Sequence, residues 1–168
     1  MARRLVVPSA LILAAAVFAG SALAGKPDRS PAGGPPTLEF PAGVVCPFAV
    51  KAEALENRQT VTVFDNGKTQ FTGFFLTGVT NLANGKSVEL VSGGPARITD
   101  AGGGLINLQT SGALVFFFFP GDAGPGDVST GRTYYIRGNT HVLVDPVTFA
   151  FHAFEYSGNA RDICAELA

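Results

Sequence analysis

His141 and His152 are the two imidazoles of this chain and the residues best placed by type to share a proton or a metal ion. If Asp145-Pro146-Val147-Thr148 forms a type I turn, with Asp first and Pro second, Val144 pairs with Phe149 and Val142 with Phe151. Those four make an apolar face. The same register sets His141 opposite His152 on the other face, close enough to cooperate. A metal centre needs three or four ligands, and only Asn139 and Tyr156 lie near in sequence. The plainer account is two rim histidines brought together by register, so no metal or other cofactor is expected.

The remaining chemistry-bearing residue types point to structure. Asp65, Asp100, Asp122 and Asp145 sit in turn sequences, where Asp bonds its own backbone. Glu53, Glu89 and Glu155 alternate with apolar neighbours, as exposed strand residues do. No two carboxylates are paired by sequence as an acid–base couple. No Gly-x-Ser-x-Gly elbow is present, and the glycine clusters at 102–104 and 121–126 lack the Lys-Ser/Thr and helix of a phosphate-binding loop. Catalytic residues are therefore expected to be none. Phe116-Phe117-Phe118-Phe119 needs apolar surroundings on both faces of a strand, because alternate residues point oppositely. Core packing accounts for it. The sharper reading makes Phe117 and Phe119, together with His141 and His152, ligand-facing residues of a lumen.

Cys46 and Cys164 are the two cysteines. Their wide separation lacks zinc-ligand spacing, and Cys46-Pro47 is no C-x-x-C redox pair. An even pair near the two ends of an exported domain reads as one disulfide. The chain-entropy model gives such a loop about 4–5 kcal/mol at most.

Export is read from the opening residues. Arg3-Arg4 precede an uncharged run to Ala24 that ends Ala22-Leu23-Ala24. A basic start, an apolar stretch and small residues at the cleavage positions are the three parts of a signal peptide, assigned here to residues 1–24. An uncleaved anchor is the alternative, but the Ala- and Gly-rich composition and Pro8 favour cleavage. The twin-arginine fit is loose, so Sec and Tat export stay open. Residues 25–36 are Pro- and Gly-rich and read as a disordered linker. The β domain is assigned to residues 37–168.

Ten basic and thirteen acidic residues follow Ala24, a net charge of −3. No basic run suggests nucleic acid, and no polybasic segment suggests attachment to a membrane after cleavage. The elements that must position these residues are short β runs between turn signals. Runs at 48–53 and 60–64 lead into Asp65-Asn66-Gly67. A three-residue loop with Gly67 left-handed pairs Phe64 with Lys68 and Val61 with Phe71. Further runs lie at 70–80, 87–91, 97–99, 105–110, 113–119, 132–144 and 149–156. Residues 162–167 read as one helical turn pinned by Cys164. About eight strands joined by short turns make an all-β antiparallel meander. Its internal glycines favour a closed up-and-down β-barrel, with a two-sheet β-sandwich as the alternative.

The segment Phe40-Pro41-Ala42-Gly43-Val44-Val45-Cys46-Pro47-Phe48, the phenylalanine run before Pro120-Gly121-Asp122-Ala123-Gly124-Pro125-Gly126, and the Asp162-Ile163-Cys164 ending carry a resemblance. They are similar to uncharacterised secreted actinobacterial proteins, and the likeness spans most of the exported part. It implies bacterial secretion and a paired Cys, and it implies no activity. Three functions follow in order. The first is a secreted, non-catalytic binding or interaction module whose partner the sequence leaves open, an extracellular protein being one candidate. The second is an extracellular carrier of a small apolar ligand in a barrel lumen. The third, by fold analogy alone, is a cyclase-like or dirigent-like barrel enzyme.

Overall fold

The computed structural model describes residues 27–34 and 37–168. The expected signal, residues 1–24, lies outside them, as do residues 25, 26, 35 and 36 of the expected linker.

Among the described residues, nine strands and one short helix follow in order: β1 (Asp28–Pro31), β2 (Thr37–Phe40), β3 (Val50–Val63), β4 (Thr69–Asn81), β5 (Ser87–Gly93), β6 (Ala96–Gly102), β7 (Leu105–Phe118), β8 (Arg132–Val144), β9 (Phe151–Asp162) and α1 (Ile163–Leu167). All nine strands belong to one sheet rather than to two. Ladders join β4 to β5, β5 to β7, β7 to β6 and β6 back to β4. The antiparallel sheet curls into a barrel core, with outer strands beyond it. β5 and β6 together act as one strand broken at Gly94-Pro95.

The hairpin between β3 and β4 has the bulged register read from Asp65-Asn66-Gly67. Val61 pairs with Phe71, the Phe64 N–H donates to the Lys68 carbonyl at 2.9 Å, and Gly67 has φ +78°. The runs at 48–53 and 60–64 are one long strand, interrupted only by a bulge at Leu55. The runs at 105–110 and 113–119 are likewise one strand, continuous through Gly112.

The expected disordered linker is corrected over residues 28–31. These pair with Thr60–Val63 of β3 although all four are exposed. Main-chain bonding to a free sheet edge needs no apolar side chain, so composition gave no sign of it.

A row of glycines crosses the sheet. Gly112, Gly138 and Gly158 lie opposite one another on β7, β8 and β9. Their φ values are +122°, +144° and +122°, and Gly94, beside them, has +115°. Such conformations are open mainly to glycine, and each strand bends there. The bend folds the inner face of β7, β8 and β9 on itself. Phe116 and Phe118 lie on one side of the crease and Phe154 on the other, yet their rings come within 5.2 and 4.9 Å of it, edge to face. Thr110 and Thr140, buried at the crease, share a 2.7 Å hydroxyl contact.

Two apolar clusters result, on opposite faces of β7 and β8. Phe116, Phe118, Ile136 and Val142 fill the creased side. Val50, Val79, Leu90 and Tyr135 fill the other, with Phe117 and Phe119 against them. The phenylalanine run is thus a central strand covered on both faces. The ends of the sheet are tied by the expected disulfide, Cys46–Cys164, with a Cα separation of 5.5 Å. Thr133 Oγ1 donates to the Val45 carbonyl at 2.9 Å, and the side-chain amides of Asn81 and Asn84 both donate to the Leu167 carbonyl at 2.9 Å. α1 is the single turn read from residues 162–167, with Asp162 as its N-cap accepting from the Ala165 N–H at 3.0 Å.

Candidate functional site

The two histidines do not face each other. His141 pairs with Glu155, and His152 is the extra residue of a bulge between the Leu143–Ala153 and Val144–Phe151 pairs. The turn is the cause. The Asp145 carboxylate accepts from the N–H groups of Val147 and Thr148, at 2.8 and 3.2 Å. The chain then turns at Phe149, φ +60°, whose N–H reaches the Asp145 carbonyl at 2.7 Å, and the loop closes with Asp145 N–H on the Ala150 carbonyl at 3.0 Å. This loop is two residues longer than the expected turn, and the bulge adds one more. The backbone N–H groups of Val147 and Thr148 hold the Asp145 carboxyl below the usual carboxylate range, with a smaller attraction from His152.

Phe117 and Phe119 sit in the first apolar cluster, half-buried, with ring centroids 5.2 and 6.1 Å from Phe40. That packing accounts for them without a ligand. Around them the barrel interior is filled: Val50, Val79, Leu90 and Tyr135 are each no more than 2% exposed, and the Tyr135 hydroxyl donates to the Val91 carbonyl at 2.6 Å.

The concave polar surface of the molecule lies elsewhere, on the outer face of β6 to β9. Register lines up two rows across these strands. Arg97, Gln109, His141 and Glu155 form one, and Ser111, Asn139 and Ser157 form the other. Between them runs a groove of about 670 Å³, bordered also by Pro95 and Tyr156. That volume is within the range of small-ligand sites, about 300–1,000 Å³. The rows stand across neighbouring strands, so their side chains repeat at roughly the 4.8 Å strand spacing. His141 Nε2 lies 3.1 Å from Asn107 Oδ1, which orients the ring from the side away from the second row. The lining joins one guanidinium, one carboxylate, one imidazole, amides and hydroxyls, so donors and acceptors alternate with little net charge.

Sequence reading found His141 but not all of its companions. Asn139 and Tyr156 were near it in sequence, but Arg97, Gln109 and Ser157 carried no signal, and only the register brings them to it. Among the described residues no group of three or more His, Cys, Asp or Glu is placed to hold a metal ion.

Asp122 also departs from its expected role. It is buried, and its carboxylate accepts from the Phe119 N–H at 2.8 Å and from the distant Phe151 N–H at 3.0 Å. It is a clasp between the loop after β7 and the start of β9.

No family model matches the chain, and neither the curated proteins nor the solved structures compared with it include a match.

Proposed function

We propose that this protein is an exported, non-catalytic binding module whose contact surface is the polar groove on the outer face of β6 to β9. The observation that carries the reading is the alignment of Arg97, Gln109, His141 and Glu155 beside Ser111, Asn139 and Ser157. This lining is open, polar and close to neutral, and fits a neutral, hydroxyl-rich chain such as an extracellular oligosaccharide. Planar amide and guanidinium groups can bond neighbouring hydroxyls, and ligand units laid across the strands would meet a repeating set of partners. Export is supported by the signal-like opening and by a buried disulfide, which persists in oxidising compartments.

The filled interior favours this reading over the lumen carrier. It also counts against a barrel enzyme, which would gather polar groups inside. Titration of the secreted protein with neutral oligosaccharides of several linkages, followed by amide chemical shifts, tests the proposal. The expected shifts cluster at Gln109, Asn139 and His141, and Gln109→Ala with Asn139→Ala removes them while leaving the fold intact. Absence of shifts in that groove overturns it. A discrete apolar adduct in the native mass would move the conclusion to the carrier.

A further inference from the structure

We infer that β9 is the seam of a homodimer, in which β9 pairs antiparallel with β9 of a second copy, Gly158 opposite Gly158. The inference does not depend on what the groove binds.

β9 is the end of the sheet and pairs only with β8 among the described residues. Residues 155–159 are all exposed. The strand contains neither Pro nor Lys, two devices that keep an edge from pairing. Its first residue is capped: Phe151 gives its N–H to Asp122 and its carbonyl accepts from Ala123. The free main chain therefore lies beyond the His152 bulge.

The glycine row selects both the occupant and the register. Gly112, Gly138 and Gly158 carry the bend of the sheet from strand to strand. A strand added outside β9 must bend at the same level to keep its hydrogen bonds, and an L side chain resists that conformation. A second β9 meets this requirement when Gly158 faces Gly158. The contact is a two-fold one, with the same patch on both copies. Registers centred on Ser157 or Asn159 would set Gly158 against Tyr156 or Ala160.

An independent feature agrees. In the register centred on Gly158, Glu155 lies opposite Arg161 of the second copy, and by symmetry the pair occurs twice. Both residues are exposed and alternate onto the same face of β9, and Arg161 is anchored within its own chain by two bonds to Glu166, at 2.9 and 2.8 Å. Opposite charges directly across an antiparallel pair stabilise it, and like charges destabilise it. The same register sets Ser157 opposite Asn159.

Light scattering and native mass spectrometry of the full secreted protein across about 5–200 µM test the inference; strand-edge contacts are small and give concentration-dependent association. A dimer growing with concentration is expected. Ser157→Lys with Asn159→Lys places like charges across the seam and should weaken association at least tenfold. Ser157→Lys with Asn159→Asp places opposite charges there and should tighten it above the double-lysine variant. Glu155→Arg alone should also weaken it. These are exposed positions, and circular dichroism confirms that each variant folds. A monomer throughout the range overturns the inference. So does a dimer indifferent to both Ser157/Asn159 variants, or a β9 edge occupied by a foreign peptide.

Discussion

Gly138 and Gly158 stand opposite each other on β8 and β9, and each keeps clear the space that the other strand's backbone fills. A Cβ on Gly138 would lie 1.8 Å from the Ser157 carbonyl oxygen, and one on Gly158 would lie 2.1 Å from that of Arg137. Gly94 and Gly112 stand in the same relation across the previous ladder, at 1.8 and 2.0 Å. The crease that folds Phe154 onto Phe116 and Phe118 is built from these two pairs.

Substitution at the crease should therefore cost far more than substitution at an open turn. Gly138→Ala combines a left-handed backbone with a backbone clash, and should lose roughly 2–4 kcal/mol of stability. Gly102→Ala also sits at positive φ, +78°, but its Cβ meets nothing within 4 Å. It should lose only about 1 kcal/mol. Urea unfolding of the two variants beside the parent checks the contrast. Equal losses would mean that conformation alone, and not the close approach of strands, makes the row glycine.

The disulfide should act mainly on the unfolded chain. Cys46 and Cys164 are separated by 118 residues and both are buried. Replacing both with Ser should remove about 2–5 kcal/mol. The far-ultraviolet spectrum should stay unchanged, because Thr133, Asn81 and Asn84 still tie the same ends together. An unchanged denaturation midpoint would show that the bond is not a staple.

What could be read from the sequence was local. The Gly67 bulge, the helical turn at 162–167 and the pairing of two lone cysteines depend on a few neighbouring residues or on a count of two. That glycines inside strands would curl the sheet was legible. The alignment of Gly94, Gly112, Gly138 and Gly158 was not, because it exists only once four strands are in register. The histidines show the same limit. An Asp-Pro start predicts a short turn, but the Asp145 carboxylate and the left-handed Phe149 lengthen it, and every cross-strand partner beyond shifts with it. The groove was hidden for a related reason: Gln109 and Ser157 look like any solvent-facing strand residues until their neighbours are known. The β1 pairing left no sequence trace, since its bonds are all main-chain.

The Asp145 turn should be sensitive to acid. Its carboxyl titrates below the usual range because the Val147 and Thr148 N–H groups bond the ionised form. A depressed folded value means that this contribution is present above the ordinary Asp value, and is lost as pH falls through the lower folded one. Carboxyl-detected titration should find the Asp145 midpoint below the ordinary Asp value. Amide shifts of Val147 and Thr148 should follow the same curve. If those two amides titrate with a different midpoint, the bonds drawn from them to the carboxylate are not the cause.

Asp122 offers the sharpest test of a side chain that holds distant segments together. It is buried, and one carboxylate satisfies two backbone donors, Phe119 at the end of the phenylalanine run and Phe151 at the start of β9. Asp122→Ala strands both N–H groups, and an unsatisfied buried donor costs about 1–3 kcal/mol. A loss of roughly 2–4 kcal/mol is expected. Asp122→Asn keeps one oxygen acceptor and should lose less. Amide hydrogen exchange then separates a local from a global effect. In Asp122→Ala the Phe119 and Phe151 amides should exchange much faster, while those of β3 and β4 change only in step with overall stability. Retained protection at Phe151 would show that the Ala123 N–H on the Phe151 carbonyl, at 2.8 Å, holds the clasp closed without the carboxylate.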